Sequence, residues 1–308
     1  MYFNKLKKGS KIAIAAPAGR IYPADLDFAI SWIEENGWQA IFSEEIFRHY
    51  DFGYAYAGTD AHRRDQLQQY LDDSTIDAVW FARGGYGSAK IIDALDFSRF
   101  IENPKWLIGY SDITVFHNHL NNLGVPTLHA VTAKQLDSRY SQETYDSLTT
   151  VLKGHALEYN IPSTMNNIVG ETDGTLVGGN LSIIYSLLGS ESFIQGQNLI
   201  LFIEDWQENW YHLDRMLTAL KRAGLFKRVK GMVVGSFTKM DVQEENPFYS
   251  NTFDDLSNNI VQSFVEELHI PVAFNFPAGH IGDNRALILG AEVSLNIMSH
   301  RTKLSWHS

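Results

Sequence analysis

The chain has 308 residues, 44% of them hydrophobic and 20% charged, and 25 Lys and Arg stand against 36 Asp and Glu for a formal net charge of −11. That balance disfavours a general nucleic-acid or anionic-membrane surface, and no apolar run approaches the roughly eighteen residues needed to span a bilayer. Without cysteine there is no disulfide and no thiolate nucleophile, and the length is long for one core and typical of two domains.

Lys5, Lys7 and Lys8 precede KIAIAAPAG and imitate a secretory signal with a small-residue cleavage site. The apolar part, Ile12 to Ala18, is short and interrupted by Pro17, so the segment reads better as a first buried strand ending in a loop. PADLDFAISWIEENG has helical spacing and stops at Gly37. WQAIFSEEI is strand-like, and DAHRRDQLQQYLDD is a polar-faced helix starting near Asp60. IDAVWFAR is a continuous apolar run, followed by the loop GGYGS and a helix AKIIDAL. KWLIGYSD is a further strand that meets a tight turn and a helix at once. Strands separated by helices imply right-handed βαβ units and a mostly parallel sheet, and continuous apolar strands fit a sheet covered on both faces.

From about 135 to 172 the pattern weakens. DSRYSQETYDSLTTVLKG still looks helical, whereas HALEYNIPSTMNNIVGETDG is polar, with Pro and Gly. The chain is therefore expected to divide into an α/β domain over 1–155, a linker over 156–172 and a second α/β domain over 173–308. The second domain opens with GTLVGGNLSIIYSLLGS, then a strand NLILFIED, a helix WYHLDRMLTALKRAG and a strand KGMVVGSF. A long helix TFDDLSNNIVQSFVEEL leads to the strand-rich IPVAFNFPAGHIGDNRALILGAEVSLNI.

Ser111 stands where a strand turns into a helix, in Gly109-Tyr110-Ser111-Asp112. Such a turn exposes the hydroxyl at the carboxyl edge of the sheet and sets the next backbone amide at a helix start, and both features suit a nucleophile that builds an oxyanion. An ordinary helix N-cap is the other reading, and the segment lacks the second glycine of G-x-S-x-G. Gly84 and Gly85 permit close backbone approach; their loop could cradle a phosphate, supply an amide to an oxyanion hole, or be a tight turn only. Glu204 and Asp205 end the apolar strand of LFIEDWQE, where a carboxylate faces a site or caps the next helix. His280 lies in the glycine-flanked loop FPAGHIGDN, placed and accessible, although a surface-loop histidine is the plainer reading. His117 and His119 are two apart on a helix and make a poor metal pair, and no firm metal spacing occurs.

Taken together, Ser111, Glu204 and His280 follow the chain order Ser…Glu…His, an order that can assemble a hydrolytic triad. A serine hydroxyl is a weak nucleophile at neutral pH and needs a base; the base needs a carboxylate to fix its tautomer.

At this point the sequence resembles the LD-carboxypeptidases, serine peptidases of the muramoyltetrapeptide carboxypeptidase type that also include the microcin C immunity hydrolases. The resemblance rests on KKGSKIAIAAPAG, YAGTDAHRRDQLQQYLDDSTIDAVWFARGGYGS, WLIGYSDIT, LVGGNLSIIYSLLGS, LFIEDWQENWYHLDRML, KGMVVGSF and FPAGHIGDNRALILGAEVSL, seven stretches in the family order running almost end to end. It implies a flavodoxin-like or Rossmann-like N-terminal domain, a smaller C-terminal α/β domain, and an active site between them. It implies Ser111 as nucleophile, Glu204 as triad carboxylate and His280 as general base. The oxyanion hole would use the amides of Asp112 and Gly85. No cofactor and no metal are implied. The substrate implied is a small peptide, the murein tetrapeptide, cleaved in the cytoplasm during cell-wall recycling; the family is compatible with a homodimer, and the charge leads us to expect no nucleic-acid or membrane partner. Trp206 and Trp210, beside the expected site, pack at a domain interface or stack on a flat group such as an adenine, which would suit an immunity-type hydrolase acting on aminoacyl-nucleotide compounds. Arg83 and Arg285 are candidates for a substrate carboxylate or for structural ion pairs.

Overall fold

The computed structural model describes residues 5–241 and 253–307. The first half of the chain builds β1 (Lys11–Ala15), α1 (Asp27–Glu35), β2 (Gln39–Ile41), the two-residue strands β3 (Tyr50–Asp51) and β4 (Ala55–Tyr56), and α2 (Asp60–Asp72). It continues through β5 (Ala78–Phe81), α3 (Ser98–Glu102), β6 (Trp106–Gly109), α4 (Thr114–Asn122), β7 (Thr127–His129) and α5 (Gln142–Leu152). Every residue of β5 and β6 is buried, as expected of strands covered on both faces. Strands lie in the order β2-β1-β5-β6-β7, all parallel. Numbered in turn, these five give the flavodoxin-like order 2-1-3-4-5, in which ligands bind at the carboxyl ends of the strands. Two of this half's helices start where a side chain satisfies a free amide: Thr59 accepts from the His62 amide at α2, and Ser141 from the Thr144 amide at α5.

The second half builds β8 (Glu158–Pro162), β9 (Gly170–Asn180), α6 (Leu181–Ser186), β10 (Leu199–Trp206), α7 (Trp210–Arg222) and β11 (Val229–Thr238). After it come α8 (Asp255–Val265), β12 (Val272–Ala273), β13 (Leu287–Leu289), β14 (Ala291–Ile297) and β15 (Arg301–Trp306). Its sheet runs β12-β11-β10-β9-β14-β15-β8. The four strands from β12 to β9 are parallel, and the rest join antiparallel. Among the described residues no helix is long and apolar enough to cross a membrane.

Three expectations change. Residues 156–172 are not a bare connection, because β8 pairs with β15 at the sheet edge. Only Tyr159 and Ile161 of β8 turn inward, so the alternation is faint in the sequence. AKIIDAL forms two short 3-10 turns, Ser88–Lys90 and Ile92–Ala94, instead of a helix. The stretch is short and its N-cap residue, Gly87, offers no side chain to start an α-helix. The helix expected from Thr252 starts at Asp255, and Thr252 itself lies outside the described residues.

The two halves are also stitched together. β13 leaves the second half and pairs antiparallel with β7, Leu287 opposite His129, so the first sheet is completed by the C-terminal half. One apolar core runs through both, including Trp80 and Ile108 of the first sheet and Phe202 and Val293 of the second.

Candidate active site

β6 ends at Gly109, Tyr110 stays extended, and Ser111 then adopts φ +65° before a 3-10 turn leads into α4. A non-glycine residue in the left-handed region is strained, and such strain collects at functional sites. The local sequence permits the turn because a Cβ on Gly109 would lie 2.9 Å from Ile113 Cγ1. Gly84 packs underneath: a Cβ there would lie 3.3 Å from both Ser111 Oγ and the Asp112 amide nitrogen. The space beside the hydroxyl and that amide is therefore left open by a glycine.

Two buried side chains hold this corner. Asp112 accepts from the Ser88 amide at 2.9 Å, tying the glycine loop to the serine turn. Burial pushes its carboxyl up to about 6. Arg63, also buried, donates to the backbone oxygens of Pro17, Gly58 and Gly87, and so joins three loops at the carboxyl edge of the sheet. Gly85 has φ +99°, and a Cβ on it would meet the Tyr54 hydroxyl at 2.1 Å.

Glu204 lies near the end of β10, at a bulge against β11: Ile203 pairs with Val234 and Asp205 with Phe237, so Gly235 and Ser236 together face Glu204. Bulges re-aim side chains in this way. Glu204 is fully buried, and its Oε2 is 2.7 Å from His280 Nδ1. An ionised carboxylate only accepts, so Nδ1 carries the ring proton and Nε2 is left as the basic nitrogen. The loop holding His280 is fixed by Thr238 Oγ1, which donates to the His280 carbonyl at 3.1 Å, and by the Gly279 amide, which donates to Asn284 Oδ1 at 2.9 Å. The imidazole lies between rings: Trp206 stacks on it with centroids 5.7 Å apart and planes at 11°, and Tyr110 approaches to 4.7 Å.

Ser111 and His280 line one cavity of about 400 Å³. The first half also contributes Arg83, Gly84, Gly85, Lys134 and Arg139, and the second half Asn180, Ser182, Asp205 and Trp206. The halves meet directly beside the serine turn, where the Asn180 amide donates to Thr114 Oγ1 at 3.0 Å. Asp205 is buried and receives Asn180 Nδ2 at 2.8 Å and the amides of Ser182 and Trp206 at 2.9 Å. Burial foremost, and then the adjacent Glu204 charge, raise its carboxyl to about 7. His129, buried behind Tyr110, has no partner on either ring nitrogen among the described residues, and burial holds its pKa well below the ordinary value.

The other expected binding residues are placed differently. Trp210 is turned into the second half's core, with its indole donating to Asp254 Oδ1 at 3.0 Å. Arg285 pairs with Asp283 at 3.0 Å and lines a separate cavity of about 210 Å³ with Ile281. His117 is buried and satisfied by Thr127 Oγ1 and the Gly109 carbonyl, both at 2.9 Å. Lys134, Arg139, Asn180 and Ser182 were not singled out in the sequence. The last two sit in GGNLS, a strand-to-helix junction like that of Ser111, and that likeness was a usable signal; the loop after β7 carries none.

Residues 12–130 match the LD-carboxypeptidase N-terminal domain family and residues 173–295 the LD-carboxypeptidase C-terminal domain family. The chain is 31% identical over 298 residues to the probable murein peptide carboxypeptidase of Bacillus subtilis strain 168, covering 94% of this chain and 90% of that one. It is 28% identical over 287 residues to the murein tetrapeptide carboxypeptidase of Pseudomonas aeruginosa, with 90% of each covered. The crystal structure of muramoyltetrapeptide carboxypeptidase from Oxalobacter formigenes superposes with a TM-score of 0.84 at 26% identity, covering 97% of this chain and 99% of that one. With both domains of one family matched in order and a relative above 30% identity along nearly the whole length, the chain belongs to the LD-carboxypeptidase family and is a serine carboxypeptidase.

Proposed function

We propose that the protein removes the terminal D-alanine from murein tetrapeptides, with Ser111, His280 and Glu204 as its catalytic triad. The observation that carries this reading is the 2.7 Å contact between Glu204 and His280 together with the shared cavity of His280 and Ser111. Ser111 Oγ attacks the carbonyl at the L-centre of the diamino acid. His280 Nε2 takes the serine proton and delivers it to the departing amine of D-alanine. Water, deprotonated by the same nitrogen, then hydrolyses the acyl-enzyme. The amides of Asp112 and Gly85 receive the tetrahedral oxyanion in the space that Gly84 leaves open, and each such donor contributes about 3 kcal/mol. Glu204 keeps Nδ1 protonated and stabilises the imidazolium that forms.

The relatives named for murein peptides support the substrate class. The cations on the cavity wall, Arg83, Lys134 and Arg139, suit a peptide rich in carboxylates. The reading carries with it a cytoplasmic place of work in cell-wall recycling and, by the family resemblance, a homodimer. The test is D-alanine release from L-Ala-γ-D-Glu-diamino acid-D-Ala by the wild type and by Ser111→Ala. Release by the wild type alone is expected. Release by both removes Ser111 from its role, and release by neither turns the search to aminoacyl-nucleotide substrates.

A further inference from the structure

The three cations on the cavity wall are not equivalent. Lys134 Nζ is 2.7 Å from Asp25 Oδ2, and Arg139 Nε is 2.9 Å from Asp137 Oδ1, so each reaches the cavity with its charge already opposed. Arg83 pairs with no acid among the described residues. Its hydrogen bond runs from Nη1 to the Arg20 carbonyl at 2.9 Å, which uses one of the five donors of a guanidinium. A half-buried guanidinium with most of its donors unused and no acid beside it among the described residues, in a chain of net charge −11, is suited to bind an anion.

Its place in the chain says which anion. Arg83 stands two residues past the end of β5 and precedes Gly84, the residue packed under Ser111. One peptide step, about 3.8 Å between Cα atoms, thus separates it from a glycine in contact with the nucleophile. The stem is directed by close packing, since a Cβ on Gly19 would lie 3.3 Å from Arg83 Cδ. In a peptide cut one residue from its end, the terminal carboxylate carbon is three bonds from the carbonyl under attack. The group that reads it must therefore lie within a few ångströms of the nucleophile, and Arg83, on the loop under Ser111 and on the wall of the same cavity, is so placed.

We infer that Arg83 receives the carboxylate of the departing D-alanine and so restricts the enzyme to the last residue of its substrate. The inference rests on the tetrapeptide reading above. A guanidinium binds a carboxylate through two parallel hydrogen bonds, a geometry an ammonium does not reproduce.

The experiment compares the tetrapeptide with the same peptide ending in D-alaninamide, measuring release of D-alanine or D-alaninamide. The wild type is expected to favour the free acid by about 100-fold in kcat/KM, as for the loss of one partner of a close charge pair. In Arg83→Gln this preference is expected to fall to within a few-fold, and in Arg83→Lys to an intermediate value. A wild type that cuts both peptides alike, or an Arg83→Gln enzyme that keeps the full preference, overturns the inference while leaving the tetrapeptide reading standing. If Arg83→Gln cuts neither peptide, Arg83→Lys decides, and an undiminished preference there overturns it. A wild type that cuts neither peptide overturns the tetrapeptide reading, and the inference with it.

Discussion

A methyl group on Gly279 would come within 2.7 Å of Glu204 Oε2, the oxygen that also meets His280 Nδ1. The residue beside the histidine must therefore be small for the acid and the imidazole to meet. It must also tolerate φ +114°, where other residues are strained. Gly279→Ala is expected to lower kcat by about 100-fold or more through misplacement of the imidazole. The same change is expected to lower the melting temperature, read by circular dichroism. An alanine variant with wild-type turnover would show that the loop can shift without consequence.

Glu204→Gln separates orientation from packing. The side chain keeps its shape, but an amide can donate as well as accept, so it no longer obliges Nδ1 to carry the proton. Turnover is expected to fall by about 1,000-fold. Stability should hold or rise, because a fully buried carboxylate is replaced by a neutral group. Steady-state kinetics and a thermal melt on the same preparation check both halves.

Gly84→Ala probes the open space beside Ser111. Gly84 does not occupy the positive-φ region, so its backbone accepts a side chain, and the added methyl lies 3.3 Å from Ser111 Oγ and the Asp112 amide. The expected result is a fall in kcat of about 100-fold, comparable to losing an oxyanion donor, with the melting temperature changed by only a few degrees. Gly85→Ala should instead lower stability, since its φ is +99° and Tyr54 blocks the methyl.

Asp205 gives stability a pH dependence of known sign. Its carboxyl is raised in the fold to about 7 from an ordinary value of 3.8, so between these values the folded state binds more protons than the unfolded one. Stability from this group is therefore full below about pH 4 and is lost as pH rises towards 7. Asp112, raised to about 6, acts with the same sign. Asp205→Asn is expected to narrow the difference in melting temperature between pH 5 and pH 8, whatever its effect on the absolute values. An unchanged difference would mean that Asp205 titrates normally.

Much of the parallel first sheet was legible because β1, β5 and β6 are apolar runs; Ser111 and Glu204 stood out because each lies at the end of one, and His280 because glycines flank it. What could not be read was pairing at a distance. β8 hides among polar residues because only two of its side chains face inward. Nothing in LIL at 287–289 says that it will join the other half's sheet. Lys134 and Arg139 reach the cavity only because the loop after β7 lies at the carboxyl edge, a fact of topology. Trp210 and Arg285 were near the site in sequence, yet the indole of Trp210 turns to Asp254 and Arg285 pairs with Asp283 beside a separate cavity.

The pairing of Leu287 with His129 also bears on how the protein is made. During synthesis the serine-bearing sheet emerges first, yet its edge strand β7 stays bare until residues 287–289 have left the ribosome. An exposed strand edge invites pairing with foreign chains, and contacts between distant parts of the chain form slowly. The nascent first half is thus expected to be the aggregation-prone stage, and the proposed triad is not assembled before His280 and the edge strand at 287–289 have both been made.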